Sequence, residues 1–314
     1  MIEFKDVAFQ YEQGSSKGKI ENINLTIHDG EVVLICGESG CGKTTVGKLV
    51  LRLIEATSGD IRFQGRNIRD LDKKELRALR KEMQIIFQDP YGSLNPRMNI
   101  GDIVAEPLRW HRLVDESQVN GRVCKLLDMV GLNGKDMSKY PHEFSGGQRQ
   151  RIVIARALAV QPKLIVCDEP VSALDVSVQA QILNLLKDLQ EQLGMAYLFV
   201  AHGMPAVRFM SDRIGVMYLG KLVEVADGEA LFEEQLHPYT KALLSAIPVP
   251  DIHHKKEEII LEGEVPSPLK PPKGCRFHTR CPYATERCSQ EMPQLTDVGG
   301  KRKVACLRYQ EINS

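Results

Sequence analysis

EVVLICGESGCGKT, residues 31–44, places a glycine-rich segment between an apolar run and the start of a helical pattern. The segment fits G-x-x-x-x-G-K-S/T, in which glycines let backbone N–H groups approach phosphate oxygens without a Cβ in the way. The helix that follows adds the positive end of its dipole. We expect the Lys43 ammonium to reach the β- and γ-phosphates of a nucleotide and the Thr44 hydroxyl to ligate Mg²⁺.

Outward from this segment, apolar runs alternate with helical patterns along the chain. KLIVCD at 163–168 precedes a helix from about Val176, and AYLFVA at 196–201 precedes a short helix. This alternation predicts an α/β fold with a mostly parallel sheet. The runs FKDVAFQYE and IENINLTIH alternate as half-exposed antiparallel strands do. We predict an antiparallel β subdomain near the amino terminus and a helical subdomain at about 98–160.

Composition limits the possible classes of protein. The 314 residues are 43% hydrophobic and 26% charged, and 41 basic residues balance 41 acidic ones. This is ordinary globular composition, and the balanced charge provides no global field that would recruit nucleic acid. No apolar run reaches the length of a signal peptide core or a membrane helix, so we expect a cytosolic chain whose membrane role comes through a partner.

A change in composition near residue 237 predicts a second, smaller region. Eight of the sixteen prolines lie between Pro248 and Pro293. Such a high density of prolines favours irregular structure. We therefore expect one domain at 1–236 and a small irregular module at 237–314.

An apolar strand that ends in two acids, LIVCDE at 164–169, is a second candidate site element. At the carboxyl end of a buried strand, Asp168 can hold the coordination shell of Mg²⁺ and Glu169 can orient a water for attack on the γ-phosphate. Taken alone, an exposed acidic turn in a salt bridge is an equal alternative. The glycine-rich loop in the same core favours the catalytic interpretation.

FSGGQRQR at 144–151 predicts a second phosphate-binding element. A serine before two glycines at a helix start forms an N-cap and a nest of backbone N–H groups that attracts anions. One chain with two such elements raises the question of which phosphate the second one binds.

At this point the sequence resembles the ATP-binding cassette (ABC) family over roughly residues 1–236. Residues 37–44 look like its Walker A motif, 164–169 like its Walker B motif and 145–148 like its signature motif. The remaining matches are Gln88 in IIFQDP with the Q-loop glutamine, 172–175 with the D-loop, His202 with the switch histidine, and Tyr11 with the aromatic that stacks on adenine. One departure is Gly203, since the family usually has Asp after the histidine.

The resemblance implies a head-to-tail dimer in which the signature of one cassette binds the ATP held by the other. It implies that Glu169 polarises the attacking water, that His202 contacts the γ-phosphate, that Gln88 reaches Mg²⁺ and water, and that Asp175 crosses the dimer interface. The residues implied in ATP binding within one chain are Tyr11, Gly37, Glu38, Ser39, Gly40, Cys41, Gly42, Lys43, Thr44 and Thr45. Those implied in binding the partner's ATP are Ser145, Gly146, Gly147 and Gln148. Thr44, Gln88 and Asp168 are the implied Mg²⁺ ligands.

Three further segments resemble the oligopeptide/dipeptide/nickel import branch of the family: DPYGSLNPR at 89–97, HPYTKALL at 237–244 and PKGCRFHTRCP at 272–282. The resemblance implies an ATPase that powers an importer of peptides, with nickel, opines or another small solute left open. It also implies two transmembrane permease subunits, a second ATPase subunit (a homologue or a copy of this chain), an extracytoplasmic solute-binding protein, and a place on the cytoplasmic face of the membrane.

Four cysteines cluster near the carboxyl end: Cys275, Cys281, Cys288 and Cys306. Without C-x2-C pairs, their spacing is not that of a zinc ribbon. Four thiolates can ligate a 4Fe–4S cluster, and related subunits with this pattern are iron–sulfur proteins, so the resemblance implies a cluster. Zinc and merely reduced thiols remain alternatives.

Two other classes of protein compete with the importer ATPase. A non-transport ABC ATPase of translation or DNA repair usually carries two cassettes or a long coiled coil. This sequence shows a single cassette and no pattern of a long coiled coil. A P-loop kinase outside the family would leave residues 145–148 without a role.

Overall fold

The computed structural model of the chain describes residues 1–13, 16–201, 208–246 and 259–313. Its strands are β1 (Ile2–Gln13), β2 (Ser16–Ile27), β3 (Val32–Cys36), β4 (Ser58–Phe63), β5 (Arg66–Asn67), β6 (Met83–Ile86), β7 (Leu164–Asp168), β8 (Ala196–Val200), β9 (Arg213–Tyr218), β10 (Lys221–Asp227), β11 (Thr296–Gly299) and β12 (Arg302–Val304). Its helices are α1 (Lys43–Val50), α2 (Lys73–Leu79), α3 (Ile100–Trp110), α4 (Glu116–Met129), α5 (Gly146–Leu158), α6 (Val176–Leu193), α7 (Gly228–Glu233), α8 (Pro238–Ser245), α9 (Glu286–Gln290) and α10 (Tyr309–Ile312). In these described ranges, no helix has the length and apolar character needed to cross a membrane.

The chain forms two compact units. The first comprises Met1–Ile27, Val32–Arg69 and Ala201–Ser314, and the second comprises His28–Glu31 and Asp70–Val200. The glycine-rich loop and the carboxyl-terminal cysteines thus belong to the first unit. The acidic strand end and the signature segment belong to the second.

In the first unit, an antiparallel sheet has the strand order β2-β1-β4-β5. The register pairs Phe4 with Leu25, and both side chains are buried. The alternation of apolar and polar residues in these strands requires one covered face, as is typical of antiparallel sheets. The expected antiparallel subdomain is confirmed.

The first unit also contains strands in the order β11-β12-β10-β9-β3, in which β3 and β9 are parallel and the other pairs antiparallel. All five residues of β3 are buried, as expected of a strand covered on both faces. The loop at 37–44 leaves the carboxyl end of this strand and leads into α1, whose first residue is Lys43. The predicted strand, loop and helix are therefore present in the predicted order.

The carboxyl-terminal residues belong to the first unit. Strand β12 pairs with β10, and Glu224 lies opposite Val304. The side chains of Tyr239, Phe277 and Val304 are buried. Residues on both sides of position 237 belong to this unit, and the domain boundary expected there stays a prediction.

The second unit has three parallel strands in the order β8-β7-β6 and the helices α2 to α6. Helix α3 packs against α4 and α5, which produces the helical region expected at about 98–160. Strand β7 is buried throughout and ends at Asp168. The parallel order places the functional residues that follow β6 and β7 at the same edge of the sheet.

Candidate functional site

The glycine-rich loop forms a tight turn around its own lysine. Lys43 is only 4% exposed, and its Nζ donates hydrogen bonds to the carbonyl oxygens of Gly37 at 2.9 Å and Glu38 at 3.0 Å. Gly37 has φ +148°, and a Cβ there would lie 2.1 Å from the carbonyl oxygen of Met217. Glycine is therefore required at this position. The loop therefore holds the positively charged ammonium of Lys43 against its own backbone.

The tip of this loop is open to solvent. Ser39 and Gly40 are exposed, Thr44 is half-buried, and Gly40 has φ +75° with open space around its Cα. Cys41 is buried, and burial raises the pKa of its thiol. A thiol that stays protonated is a poor nucleophile, so we assign Cys41 only its backbone in the loop.

Tyr11 lies beside the helix that follows the loop. Its hydroxyl forms a hydrogen bond with the Thr45 hydroxyl, and its ring meets Phe9 edge to face at 4.9 Å between centroids. Burial raises the pKa of the Tyr11 phenol. The contact ties the expected adenine platform to α1, while stacking on adenine itself stays a prediction.

The acidic pair in the second unit lies at the end of a buried strand. Asp168 is buried at the end of β7, and the next residue, Glu169, has φ +50°. A non-glycine residue in the left-handed region is strained and must be held by its surroundings. The Glu169 N–H donates to the carbonyl oxygen of Val200 at 2.9 Å, and the Ser172 hydroxyl donates to the Glu169 carbonyl at 3.1 Å.

The same carboxylate contacts the expected Q-loop residue. Gln88 Nε2 donates to Glu169 Oε2 at 3.0 Å, and Gln88 is exposed. The two side chains come from segments that follow β6 and β7, 81 residues apart in sequence. The structure thus brings together two of the three expected catalytic residues. The third, His202, lies outside the described residues, as does Gly203.

The donor types fit Mg²⁺. The Thr44 hydroxyl, the Asp168 carboxylate and the Gln88 amide each offer the hard oxygen that Mg²⁺ prefers. When bound, the ion would neutralise charge that develops on the phosphates. That these three residues hold the ion stays a prediction.

The signature segment begins α5 as predicted. Ser145 Oγ accepts a hydrogen bond from the Gln148 N–H at 3.3 Å, and Gln148 Oε1 accepts one from the Ser145 N–H at 3.0 Å. This reciprocal capping fixes the helix end. Ser145, Gly146 and Gln148 are exposed. The helix terminus is therefore available to an anion outside this segment.

The D-loop residue lies at another exposed helix end. Asp175 immediately precedes α6 and is exposed, and Val176 beside it is 81% exposed. The role of Asp175 across a dimer interface stays a prediction.

The four late cysteines converge, but not at the spacing of a metal site. All four line one cavity of about 20 Å³, together with His237 and Phe277 among others. This volume has room for about one water molecule. Among the residues that the structure describes, no group of three or more His, Cys, Asp or Glu side chains is arranged to hold a metal ion. The described side chains therefore do not form a preformed 4Fe–4S site.

Two residues next to the loop had no role assigned from the sequence. Arg280 pairs with the Glu38 carboxylate, and the Tyr239 hydroxyl accepts a hydrogen bond from the Glu38 N–H. They lie more than 200 residues from Glu38 along the chain. A local pattern contains no signal for contacts at this separation.

Comparison with known proteins gives a consistent result. A family model described as "ABC transporter" matches residues 20–172, and one described as "Oligopeptide/dipeptide transporter, C-terminal region" matches residues 223–288. The oligopeptide transport ATP-binding protein AppF of Bacillus subtilis is 48% identical over 304 residues, which cover 96% of this chain and 92% of AppF.

Solved structures agree. The dimeric ATP-binding cassette MJ0796 in a post-hydrolysis state with ADP and Pi has a TM-score of 0.66 and 32% identity, and the match covers 72% of this chain and 98% of MJ0796. The structure of cbiO1 from Clostridium perfringens, part of the transporter complex cbiONQ, has a TM-score of 0.67 and 28% identity, with coverage of 74% and 91%. With the ordered motifs and the identity to AppF across nearly the whole length, these findings establish that the chain belongs to the ABC transporter family and is an ATPase.

Proposed function

We propose that this chain is the ATP-hydrolysing subunit that powers an ABC importer of peptides. The observation that carries the proposal is the coexistence of two phosphate-binding elements in one chain, the loop around Lys43 and the exposed helix end at Ser145. The carboxyl-terminal match and the peptide-related name of AppF favour peptides as the solute. Nickel, opines and other small solutes are the alternatives within the same branch.

In this proposal ATP is bound between two ATPase subunits. The loop at 37–44 binds the phosphates, with Tyr11 beside the base, and the nest at 145–148 of the other subunit binds the γ-phosphate. ATP binds the closed pair more tightly than the open subunits, so its binding closes the dimer and its hydrolysis releases it. The second subunit is a homologue or a second copy of this chain.

Within each site, Glu169 orients the attacking water and accepts its proton. The hydrogen bond from Gln88 holds the Glu169 side chain in place before substrate arrives. His202 and Asp175 act at the γ-phosphate and across the interface respectively. The two permease subunits transmit the closure through the membrane, which places this chain on the cytoplasmic face, and a solute-binding protein delivers the peptide.

The test is the Glu169→Gln variant. Removing the base should lower kcat for ATP hydrolysis by about 10² or more, because general-base catalysis contributes on this order. ATP binding should persist, so the variant should accumulate as a dimer in ATP, measured by light scattering after size exclusion. Glu286→Gln, on an exposed helix, is the matched control and should hydrolyse ATP normally.

A monomeric Glu169→Gln variant in saturating ATP, with or without the cognate second ATPase, would contradict the shared site. The solute is tested in proteoliposomes with the permeases and the binding protein. Stimulation of hydrolysis by oligopeptides supports the proposal, whereas stimulation by nickel or opines alone would assign the solute to those alternatives. A chain that never associates with permeases would favour a non-transport ABC ATPase.

We also propose that the cavity lined by Cys275, Cys281, Cys288 and Cys306 is where a 4Fe–4S cluster would bind. The proposal rests on the four thiols lining one cavity of about 20 Å³, whose walls would have to move apart to admit a cluster. Iron and sulfide analysis after anaerobic purification tests it, with Cys281→Ser as the variant that should lose both. Stoichiometric zinc, or four free thiols and no iron, would refute it.

A further inference from the structure

The side chain of Glu38, inside the candidate phosphate loop, is held by the carboxyl-terminal region. One guanidinium nitrogen of Arg280 lies 3.0 Å from both carboxylate oxygens of Glu38. The Arg280 side chain is 9% exposed and that of Glu38 is 28% exposed. An ion pair with one partner nearly buried is screened far less than a surface pair, so its charges matter to their surroundings.

The backbone of Glu38 is held from the same side. The Glu38 N–H donates to the Tyr239 hydroxyl at 2.9 Å. Tyr239 is buried, and its ring packs against Tyr218 at 4.6 Å and Phe277 at 5.4 Å between centroids. The second residue of the loop is thus anchored through both backbone and side chain.

A neighbouring arginine, Arg276, contacts a segment that is hydrogen-bonded to the loop. Arg276 donates to the carbonyl oxygens of Leu219 and Lys19, and it pairs with Glu21 at 2.6 Å. Next to Leu219, the Gly220 N–H donates to the Cys41 carbonyl oxygen at 2.8 Å. The segment at 276–280 therefore contacts the loop directly through Glu38 and indirectly through Cys41.

The sign of the charge on Glu38 is unfavourable for the proposed substrate. A carboxylate in a loop that binds triphosphate repels the phosphates unless a cation neutralises it. The charge of Glu38 is felt inside the loop: burial raises the pKa of the Cys41 thiol, and the Glu38 carboxylate adds to the rise although the Lys43 ammonium opposes it. The Arg280 guanidinium is in direct contact with the Glu38 carboxylate.

We propose that Arg280 is a positioning residue for ATP binding, which neutralises and anchors Glu38 so that the loop accepts the phosphates. The inference rests on the assignment of residues 37–44 as the phosphate loop. It gives the carboxyl-terminal region a role in nucleotide affinity, separate from solute recognition and from any metal.

The experiment measures ATP affinity of the full chain by displacement of trinitrophenyl-ATP in Mg²⁺ buffer. Arg280→Gln should raise the Kd and KM for ATP about tenfold, because an uncompensated carboxylate then lies in the loop. The kcat should stay within about threefold, since Arg280 does not touch the reacting atoms. Glu38→Gln alone should lower the Kd at least about twofold, because Arg280 then lacks its partner beside the phosphates.

The double variant Glu38→Gln/Arg280→Gln separates charge from folding. It should recover most of the affinity lost in Arg280→Gln, which a purely structural role of Arg280 would not permit. Arg287→Gln is the matched control, because Arg287 pairs with Glu291 on the exposed helix α9. Thermal unfolding verifies that each variant is folded.

The inference is overturned if Arg280→Gln binds ATP as tightly as the unaltered chain, or if the double variant binds as poorly as the single one. Should Arg280→Gln fail to fold, the Kd of Glu38→Gln for ATP becomes the test. A Kd that is unchanged or higher than that of the unaltered chain then refutes the inference. Lys43→Ala tests the loop assignment separately. If that variant binds ATP normally, the proposed site itself is wrong, whatever Arg280 does.

Discussion

At the scale of single residues, the first unit places two ionisable groups where water does not reach them. Glu224 is fully buried and accepts hydrogen bonds from the backbone N–H groups of Leu236 and His237, at 2.9 and 3.0 Å. Arg302 lies 3.5 Å from the same carboxylate. A buried carboxylate is tolerated when donors surround it in this way.

His237 is the pH-sensitive residue of this group. Its Nδ1 accepts a hydrogen bond from the Tyr239 N–H at 3.0 Å and so caps α8, and burial lowers its pKa from 6.5 to about 3. Between about pH 3 and 6.5, this histidine is therefore protonated in the unfolded chain and neutral in the folded chain. Stability is fully present above about pH 6.5 and is lost as the pH falls, by about 1.4 kcal/mol per unit down to about pH 3.

His237→Asn tests this, because asparagine keeps a capping acceptor and does not titrate. Urea titrations at pH 7, 6, 5 and 4 give the unfolding free energy of each protein. The value for the unaltered chain minus the value for His237→Asn should fall as the pH is lowered, because only the unaltered chain loses stability through this histidine. A constant difference would contradict the lowered pKa.

At the scale of elements, the close approach of α5 and α6 depends on one glycine. A Cβ on Gly147 would lie 2.4 Å from Val178 Cγ1. Gly147→Ala should lower the unfolding free energy by about 1–3 kcal/mol, as overpacking does. The loss should be much smaller in a Val178→Ala background, because the two side chains share one space.

Gly121 supplies the control for this pair. It lies inside α4, is exposed and has open space around its Cα. Gly121→Ala should raise stability by up to about 1 kcal/mol, since alanine loses less backbone entropy in a helix. If urea unfolding gave the same change in unfolding free energy at both glycines, helix propensity and not packing would account for the effect of Gly147→Ala.

Elements were also the scale at which the sequence predicted most. The strand at 163–168, the helix from about Val176 and the capped start at Ser145 are present, because apolar periodicity and N-cap chemistry act over a few residues. The contact of Arg280 with Glu38 was not predictable in this way. It joins residues 242 apart, and only the closure of the whole unit brings them together.

Other parts of the site were predictable only in outline. The four cysteines were expected to hold a 4Fe–4S cluster; they line one cavity, and their arrangement within it depends on side-chain packing that no pattern encodes. Tyr11 was expected beside the nucleotide, and its bond to Thr45 could not be foreseen because it depends on how β1 approaches α1.

At the scale of the whole molecule, buried contacts rather than the covalent chain hold the carboxyl-terminal segment. Arg276, Phe277 and Val304 are all buried. A chain cut by a specific protease at a site placed within 247–258 should therefore keep both pieces together in size exclusion. Phe277→Ala should weaken their association about 100-fold or more, the order expected for a buried phenylalanine.

Tyr283→Ala is the matched control for the cut chain, since Tyr283 is an aromatic of the same segment and is 44% exposed. It should leave the two pieces associated. Separation of the pieces without any substitution would show that the segment packs too weakly to act on the loop.

The ion pair between Arg280 and Glu38 also constrains recombination. A chimera that exchanges residues 237–314 between two relatives inherits the arginine from one parent and the loop carboxylate from the other. A hybrid that joins the loop carboxylate to a tail without the arginine should lose nucleotide affinity, whereas one that joins a neutral loop residue to the arginine should gain it. In the first case, a single change of the loop carboxylate to its amide should restore the affinity. Exchange of the carboxyl-terminal region between relatives thus depends on a residue of the nucleotide loop, far upstream of the place where composition changes.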